Sequence, residues 1–244
     1  MSGDREQSPP APRESQGTPV GRRVVLGMLG LAGVGILFGS RVGPVLTAIA
    51  ERDPTGLTGL LPGNGRFRLY SVVSSVEETP AAQYRLTVDG LDTAPTQLTF
   101  ADLAALPQTT IITDVQCVTG WRVPDVPWSG VRLSDLLAHL GAATDSGAVL
   151  FGSSDGAYTE SLTMAQALRP DILIATAMDG EPVSHDHGGP VRLYVAPMYF
   201  YKSIKWLDRI TVSDQVVAGY WEERGYDVDA WVGRSNGRSD APTA

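Results

Sequence analysis

The chain contains a single cysteine, Cys117, in the segment DVQCVTGWR that spans residues 114–122. The β-branched residues of 110–115 predict a strand, so Cys117 lies where that strand gives way to a loop. A side chain at a strand end is often presented to a cleft, where a thiolate acts as a nucleophile or binds a soft metal. A buried, unreactive thiol fits the same position, and spacing alone does not choose between the two.

A second polar segment, HDHGGPVR, spans residues 185–192. Two histidines on either side of Asp186 could ligate a metal, but this spacing in a Gly-Pro loop is also typical of a turn whose side chains cap backbone groups. Arg192 opens a predicted strand between apolar neighbours. We therefore expect its guanidinium to face one defined anion or carboxylate.

Both lysines of the chain, Lys202 and Lys205, lie in the decapeptide PMYFYKSIKW, residues 197–206. Ammonium groups beside the hydroxyl of Ser203 and backbone N–H groups are suited to holding a phosphate. An aromatic-rich surface hairpin with two solvated amines is the alternative, but it does not account for the clustering. With the thiol and the Gly-Gly-Pro loop, this segment predicts a site for a phosphorylated cofactor that has a soft-metal partner.

The elements that must position these residues are many short strands and a few brief helices. Strands are predicted over 84–88, 110–115, 148–151, 158–162, 172–177, 191–196 and 209–212. Helices are predicted over 99–105, capped by Thr99, over 135–140, capped by Ser134, and over 163–168. The pattern indicates an α+β fold with a mixed, curved sheet, and no Gly-rich phosphate motif of a doubly wound fold is present.

Composition narrows the class of protein further. The 244 residues include 19 basic and 27 acidic side chains, which gives a net charge of −8, and 43% of them are hydrophobic. Nucleic-acid binding is not expected of so acidic a chain, because it requires phosphates to be neutralised over a surface. One cysteine excludes an intramolecular disulfide and a multi-cysteine zinc site.

The first 66 residues are predicted to precede the fold. Residues 1–23 form a polar, disordered leader that ends in the pair Arg22-Arg23, and residues 24–50 form a hydrophobic export signal or membrane anchor. The apolar run 24–39 is short for a spanning helix, and the paired arginines favour the twin-arginine export route. Cleavage near residue 50 and membrane association through 24–39 both remain open.

We expect a linker over 51–66, the functional domain over 67–232 and a flexible tail over 233–244. The export signal predicts a periplasmic location or one on the extracytoplasmic face of the membrane.

Three ordered motifs now identify a family. The chain resembles the sulfite oxidase family of molybdopterin-dependent oxidoreductases, especially its exported bacterial members, which include a periplasmic methionine-sulfoxide reductase. The resemblance runs from about residue 67 to 231 and depends on QCVTGW with WSGVRLSDLL, on DHGGPVRL and on YKSIKWL. It implies the sulfite-oxidase-type molybdopterin-binding fold and a Mo-molybdopterin cofactor.

The resemblance also implies roles for individual residues. Cys117 matches the cysteine that ligates molybdenum and is the implied metal ligand and catalytic residue. Arg122 aligns with an arginine that binds the substrate anion in sulfite-oxidising members, whereas Trp121 is typical of reductase-like members. Tyr226 matches an active-site tyrosine. The implied cofactor-binding residues are Ser153, His187, Arg192, Ser203, Ile204 and Lys205.

The implied reaction is oxygen-atom transfer at the metal, either reduction of an S- or N-oxide or oxidation of a sulfite-type oxyanion. The sequence has no Cys-x-x-Cys-His haem site and no flavin signature, so we expect a separate redox partner, for which a membrane cytochrome is a natural choice. A monomer is expected.

Two other classes of function fit parts of the sequence. In an exported cysteine hydrolase, Cys117 would be the nucleophile, His185 or His187 the base and Asp186 the orienting residue. In a non-enzymatic cell-envelope binding domain, Cys117 would belong to the core and the aromatic residues near Tyr199 would bind a partner. The first of these leaves the Lys-Ser-Ile-Lys segment without a role.

Overall fold

The structure is a computed structural model and describes residues 67–240. The predictions for the leader, the export signal and the linker therefore lie outside the described residues. Ten strands occur in the described range: β1 Arg85–Asp89, β2 Thr96–Thr99, β3 Gln108–Gln116, β4 Arg122–Arg132, β5 Ala148–Ser153, β6 Thr159–Thr163, β7 Ile172–Met178, β8 Glu181–Pro182, β9 Arg192–Val195 and β10 Leu207–Ser213. Its helices are α1 Phe100–Ala105, α2 Leu133–His139 and α3 Met164–Ala167, with 3₁₀ turns at Ala81–Gln83, His185–His187, Phe200–Lys202 and Glu222–Arg224.

The strands form two five-stranded sheets. The first has the order β2-β1-β10-β5-β6 and is mixed, because β1 and β10 are parallel while the other neighbours are antiparallel. The second has the order β3-β4-β7-β8, with β9 also paired to β7, and all of its pairs are antiparallel. The α+β class with short helices is confirmed, and the predicted mixed sheet is one of two.

Alternating burial along the strands builds the core. In β1, Leu86 and Val88 are fully buried, whereas Thr87 and Asp89 are only partly buried and Arg85 is exposed. This alternation is the expected pattern for a strand with one face on the core. Strand β9 is buried at all four positions, because it lies beside β7 inside the domain and enters from the loop that carries the histidines.

Of the two predicted helix caps, Thr99 is correct, and Thr163, which was predicted as the first residue of its helix, is the cap of that helix. Thr99 and Thr163 each accept a hydrogen bond from the backbone three residues on, and the side chain of that residue bonds back to the cap. The prediction for Ser134 is wrong: α2 begins at Leu133 after Arg132, without a side-chain cap. Burial of Leu133, Leu136 and Leu137 on one face fixes this helix, and such packing outweighs a cap worth about 1 kcal/mol.

The segment 233–240, predicted to be flexible, contacts the rest of the domain. Arg238 donates a hydrogen bond to the carbonyl oxygen of Val118, beside the cysteine, and the Tyr199 hydroxyl donates to Asp240 at 2.8 Å. The described part of this segment is therefore packed on the domain, since partners far away in sequence hold it. Among residues 67–240, no helix is long and apolar enough to cross a membrane.

Candidate active site

A cavity of about 500 Å³ opens beside the cysteine. Five residues predicted to act in the site line it: Cys117, Arg192, Ser203, Lys205 and Tyr226. They come from four separate stretches of the chain, so the fold brings together what the sequence holds up to 109 positions apart. This volume is within the usual range for a cofactor or small-ligand site.

Cys117 sits in a tight turn at the end of β3. Its backbone N–H donates to the carbonyl oxygen of Trp121 at 3.0 Å, and the Gly120 N–H donates to the Cys117 carbonyl at 2.9 Å. Gly120 has φ +98°, which a residue with a Cβ adopts only at a cost. The Thr119 hydroxyl donates to Sγ of Cys117 at 3.2 Å. The turn thus holds a half-buried sulfur at the cavity wall.

Arg192 is a buried cation without a carboxylate partner among the described residues. Its guanidinium donates to the carbonyl oxygens of His187, at 2.5 Å, and Ser203, at 2.6 Å. It also lies 4.4 Å from the ring centre of Phe200 and 5.1 Å from that of Trp128. Burial lowers the pKa of Arg192 to about 9, so the side chain keeps its positive charge at neutral pH. An uncompensated buried charge of this kind favours an anion in the cavity.

Lys205 supplies a second positive charge to the cavity. Its ammonium lies 4.0 Å from the ring centre of Trp206 and donates to the Asp186 carbonyl at 3.3 Å. Burial, aided by the charge of Arg192, lowers the pKa of Lys205 to about 8. The neighbourhood is therefore electropositive enough to disfavour a further cation, and it would gain from an anionic ligand.

The Gly-Gly-Pro loop packs directly on the Lys205 backbone. A Cβ at Gly188, where φ is +95°, would lie 2.7 Å from Cα of Lys205. The Trp206 N–H donates to the Gly188 carbonyl at 2.9 Å. Glycine is required here because nothing larger allows the two segments to approach so closely.

The two lysines of the decapeptide have different environments. Lys202 is fully buried, with its ammonium 2.5 Å from a carboxylate oxygen of Glu160 and 2.6 Å from one of Glu222. Of the two lysines, only Lys205, the one assigned to cofactor binding, lines the cavity. The charge of Lys202 is already neutralised by buried carboxylates on the far side of the segment.

Four predicted site residues do not line the cavity: Arg122, Ser153, His187 and Ile204. Arg122 lies on β4, half-exposed, and forms an ion pair with Asp114. Ser153 and His187 bond to the lining residues Asp155 and Arg192, and Ile204 lies between the lining residues Ser203 and Lys205. The hydroxyl of Ser153 accepts from the Asp155 N–H at 3.2 Å, and the Ile204 carbonyl accepts from the Leu193 N–H at 3.0 Å.

The predicted base of a cysteine hydrolase is also outside the cavity. The ring of His187 contacts Phe67 edge-on, with 4.7 Å between the ring centres, and neither His185 nor His187 lines the cavity beside Cys117. Burial, followed by the charges of Arg192 and Lys205, lowers the pKa of His187. Within residues 67–240, no three His, Cys, Asp or Glu side chains are grouped as metal ligands.

Aromatic residues form most of the remaining wall, and most of them are not among the site residues predicted from the sequence. Tyr158 stacks on Tyr220 at 5.6 Å between ring centres, and Trp221 contacts Tyr226 at 5.3 Å. The other aromatic lining residues are Tyr70, Trp121, Phe200, Tyr201 and Trp206. Their clustering around residues 199–206 and 220–226 is visible in the sequence and is the signal that could have indicated them.

Comparison with known proteins identifies the family. A model of the oxidoreductase molybdopterin-binding domain matches residues 73–221, more than half of the chain. The chain belongs to this family. It is therefore a molybdopterin-binding oxidoreductase domain, and the cofactor prediction is confirmed, whereas the hydrolase and binding-domain alternatives are not supported.

Individual relatives agree with this membership. The chain is 36% identical over 151 residues to the uncharacterised oxidoreductase YuiH of Bacillus subtilis, which covers 61% of this chain and 76% of that protein. It is 35% identical to the putative protein-methionine-sulfoxide reductase subunit YedZ1 of Azospira oryzae (69% and 63%), and 32% identical to the sulfite oxidase of Arabidopsis thaliana (59% and 45%). The chain thus spans less than two thirds of the length of the Azospira oryzae protein and less than half of the length of the Arabidopsis thaliana protein.

A solved structure has the same architecture. The sulfane dehydrogenase SoxCD of Paracoccus pantotrophus superposes with a TM-score of 0.53 at 25% identity, over 59% of this chain and 41% of that one. The predicted sulfite-oxidase-type fold is confirmed at this level.

The cavity of this molybdopterin-binding domain fits the cofactor chemically. One thiol provides a soft ligand for a metal, while Arg192 and Lys205 provide positive charge for an anionic phosphate. The buried indole Nε1 of Trp121 has no hydrogen-bond partner among the described residues, so a donor is left at the same wall. A buried donor of this kind normally has a partner in the functional state.

Proposed function

We propose that this protein is an exported molybdopterin-dependent oxidoreductase that removes the oxygen atom from a small, neutral S-oxide or N-oxide. The observation that carries the proposal is the position of Arg122. The arginine implied to bind a substrate anion is paired with Asp114 outside the cavity, whereas the cavity that holds Cys117 has aromatic walls. Reduction of a neutral oxide is favoured over oxidation of a sulfite-type oxyanion for that reason.

In this proposal, different residues of the cavity bind the metal and the anionic part of the cofactor. Cys117 is the proposed metal ligand, and the turn around it would hold the sulfur in place for a metal. Arg192 and Lys205 hold the anionic part of the cofactor, with Ser203 and the backbone around Ile204 beside them. Ser153 and His187 support this arrangement from behind the wall. The bound cofactor supplies the two-electron chemistry of oxygen removal.

The substrate side of the cavity is proposed to lie along the aromatic residues. Tyr226 adds a phenol hydroxyl to this largely aromatic part of the lining, and a donor of this kind suits the polar oxygen of an S-oxide. The charged residues of the lining are Arg68, Asp155, Arg192 and Lys205. Two of the three cations serve the cofactor in this proposal, which leaves Arg68 as the one remaining cation of the described lining.

The redox partner and the location are part of the same proposal. The Azospira oryzae relative is named as a subunit, which supports a separate electron-transfer partner for the present chain as well. A membrane cytochrome is the proposed partner, since reduction of an oxide consumes two electrons and two protons and yields water. The pair Arg22-Arg23 before an apolar run supports export by the twin-arginine route to the extracytoplasmic side.

Cofactor analysis and paired assays test the proposal. Protein from a host that makes the cofactor should contain close to one molybdenum per chain. With an artificial electron donor it should reduce methionine sulfoxide and small S- or N-oxides, and with an artificial acceptor it should oxidise sulfite much more slowly. Faster turnover of sulfite than of every oxide would reject the substrate class, and absence of molybdenum would reject the proposal entirely.

A further inference from the structure

Three ionisable side chains meet in the dry interior behind the cavity wall. The ammonium of Lys202 lies 2.5 Å from Oε2 of Glu160 and 2.6 Å from Oε1 of Glu222. Each of these side chains is only 1% exposed. Two carboxyl groups and one ammonium therefore share a volume from which water is excluded.

This group carries one more acid than it can neutralise. Fully ionised, it would have a net charge of −1, and burial of an unbalanced charge is strongly unfavourable. The Glu160 and Glu222 carboxyl groups both contact the same ammonium, so they are close neighbours in the interior. Oε1 of Glu160 and Oε2 of Glu222 otherwise lack partners among the described residues. Two carboxylates cannot bond to each other, but one shared proton satisfies both oxygens and makes the group neutral.

The surroundings of the pair support retention of that proton. Burial raises the pKa of Glu160 well above its usual range, the charge of Lys202 opposes this, and the neighbouring Glu222 reinforces it. The other titratable groups that face the pair are the phenols of Tyr158 and Tyr201, and Arg192 acts on Tyr158 from the cavity side. Lys202 is thus the one cation in direct contact with the carboxyl groups in the described part of the chain.

Each member of the group belongs to a different segment of the cavity wall. Glu160 lies on β6, two residues after Tyr158, which lines the cavity. Lys202 lies between the lining residues Tyr201 and Ser203.

Glu222 follows the lining residues Tyr220 and Trp221 directly. Three segments that are distant in sequence are therefore tied together immediately behind the surface they build.

We propose that Glu160, Lys202 and Glu222 are positioning residues that hold one proton between the two carboxyl groups, and that this neutral group keeps the three wall segments together. Loss of the proton leaves two buried carboxylates against a single ammonium. Their repulsion then loosens the 220–226 segment, which carries Trp221 and Tyr226. The shape of the aromatic wall consequently depends on one proton outside the cavity.

The direction of the pH effect follows from linkage. A carboxyl group whose pKa is higher in the folded than in the unfolded protein stabilises the fold fully at pH values below about 4.3, its unfolded pKa. That contribution decreases as pH rises toward the folded pKa. The wild-type protein should therefore lose stability with rising pH relative to a variant in which glutamine replaces one of the two glutamates, because the amide does not titrate.

Comparison of Glu160→Gln with Glu223→Gln tests the proposal. Glutamine at 160 keeps the shape and leaves one carboxylate paired with Lys202, whereas Glu223 is an exposed neighbour of Glu222 and serves as the matched control. Between about pH 6 and pH 9, the wild-type Tm should fall relative to that of Glu160→Gln by roughly 3–5 °C per pH unit of titration. Glu223→Gln should follow the wild type, and parallel curves for all three proteins would overturn the proposal.

Two direct measurements on the holoenzyme complete the test. The infrared spectrum at pH 7 should contain a protonated-carboxyl band that is lost in Glu160→Gln or Glu222→Gln but kept in Asp208→Asn, because burial also raises the pKa of the half-buried Asp208. Amide hydrogen exchange in 219–226 should be faster in the wild type than in Glu160→Gln at pH 9. A band that survives both Gln variants, or equal exchange in the two proteins, would contradict a shared proton that positions the wall. If Glu160→Gln does not fold, Glu222→Gln carries the same comparison.

Discussion

Nη2 of Arg192 donates a hydrogen bond of 2.6 Å to the carbonyl oxygen of Ser203, which joins the Gly-Gly-Pro loop to the Lys-Ser-Ile-Lys segment. The same guanidinium reaches back to the His187 carbonyl at 2.5 Å. These bonds tie together the two segments that bring Arg192 and Lys205 to one cavity. Arg192 thus links the two segments and, together with Lys205, makes this part of the site electropositive.

Replacing Arg192 should weaken cofactor binding severely. Arg192→Ala removes the buried charge and leaves two carbonyl oxygens without their donor, whereas Arg192→Lys retains the charge but loses the two-pronged geometry. We expect cofactor affinity to fall by about 10- to 100-fold in the alanine variant and by less in the lysine variant. Molybdenum per chain in purified protein measures the effect.

Arg169→Ala is the matched control for this experiment. Arg169 is an arginine of the same domain, but it is half-exposed and pairs with Asp171 outside the cavity. Its loss should leave the molybdenum content unchanged. Equal occupancy in the Arg192 and Arg169 variants would show that Arg192 is only a structural link.

The close approach of Gly188 to Lys205 leads to a second prediction. In Gly188→Ala the new Cβ would lie 2.7 Å from Cα of Lys205, so the lysine segment must move. We expect reduced molybdenum content and a lower Tm. Gly180→Ala separates strain from displacement, because Gly180 also has positive φ (+80°) but nothing within 4 Å of its ideal Cβ. The left-handed backbone conformation should cost this variant about 1 kcal/mol of stability as well, so its Tm should fall by a similar amount. It should keep the cofactor. Equal cofactor loss in both variants would contradict the proposed contact.

The sequence predicted those parts of the structure that depend on local chemistry. Thr99 and Thr163 mark helix starts because their side chains satisfy nearby backbone N–H groups. Strand β4 was missed because two prolines and Gly130 weaken the strand pattern. It forms nonetheless, since β3 and β7 pair with it on both sides, and a Cβ at Gly130 would collide with the β7 backbone.

The residue types that form the site could be predicted from the sequence, but which of those residues line the cavity could be predicted only in part. Cys117, Arg192 and Lys205 were singled out by scarcity and spacing, and all three line one cavity. Nothing local distinguishes Lys202 from Lys205, because the difference lies in two glutamates contributed by distant segments. The aromatic wall is likewise a product of tertiary packing, which no short motif encodes.

Arg122 provides a third prediction, which tests the substrate class. Because its side chain is paired with Asp114 outside the cavity, Arg122→Ala should change kcat/KM for an S-oxide by less than about threefold, in the range expected for a half-exposed ion pair. Steady-state kinetics with methionine sulfoxide and with sulfite measure it. A large increase in KM for either substrate would place Arg122 at the substrate instead.

The leader yields a fourth prediction. Replacing both Arg22 and Arg23 by lysine keeps the charge but removes the twin-arginine signal. We expect cofactor-loaded precursor to accumulate in the cytoplasm, as measured by cell fractionation and molybdenum analysis. Replacing Arg13 and Arg41 by lysine is the control and should leave export intact. Export of the Arg22/Arg23 variant at the wild-type level would indicate the general secretory route.

Replacement of the sulfur ligand gives the fifth prediction. Cys117→Ser preserves the turn, because its backbone bonds to Trp121 and Gly120 do not involve the side chain, and the Thr119 hydroxyl can still donate to the new oxygen. The hydroxyl is a harder and weaker ligand than a thiolate, so the spectroscopic signature of the metal should change. Oxide reduction should fall by more than about 100-fold, beyond the loss typical of residues that only support ligands. Thr119→Val removes the bond to sulfur without removing the ligand and should have a smaller effect. An unchanged metal spectrum in Cys117→Ser would mean that the thiol does not bind the metal, and the cavity would then need another explanation.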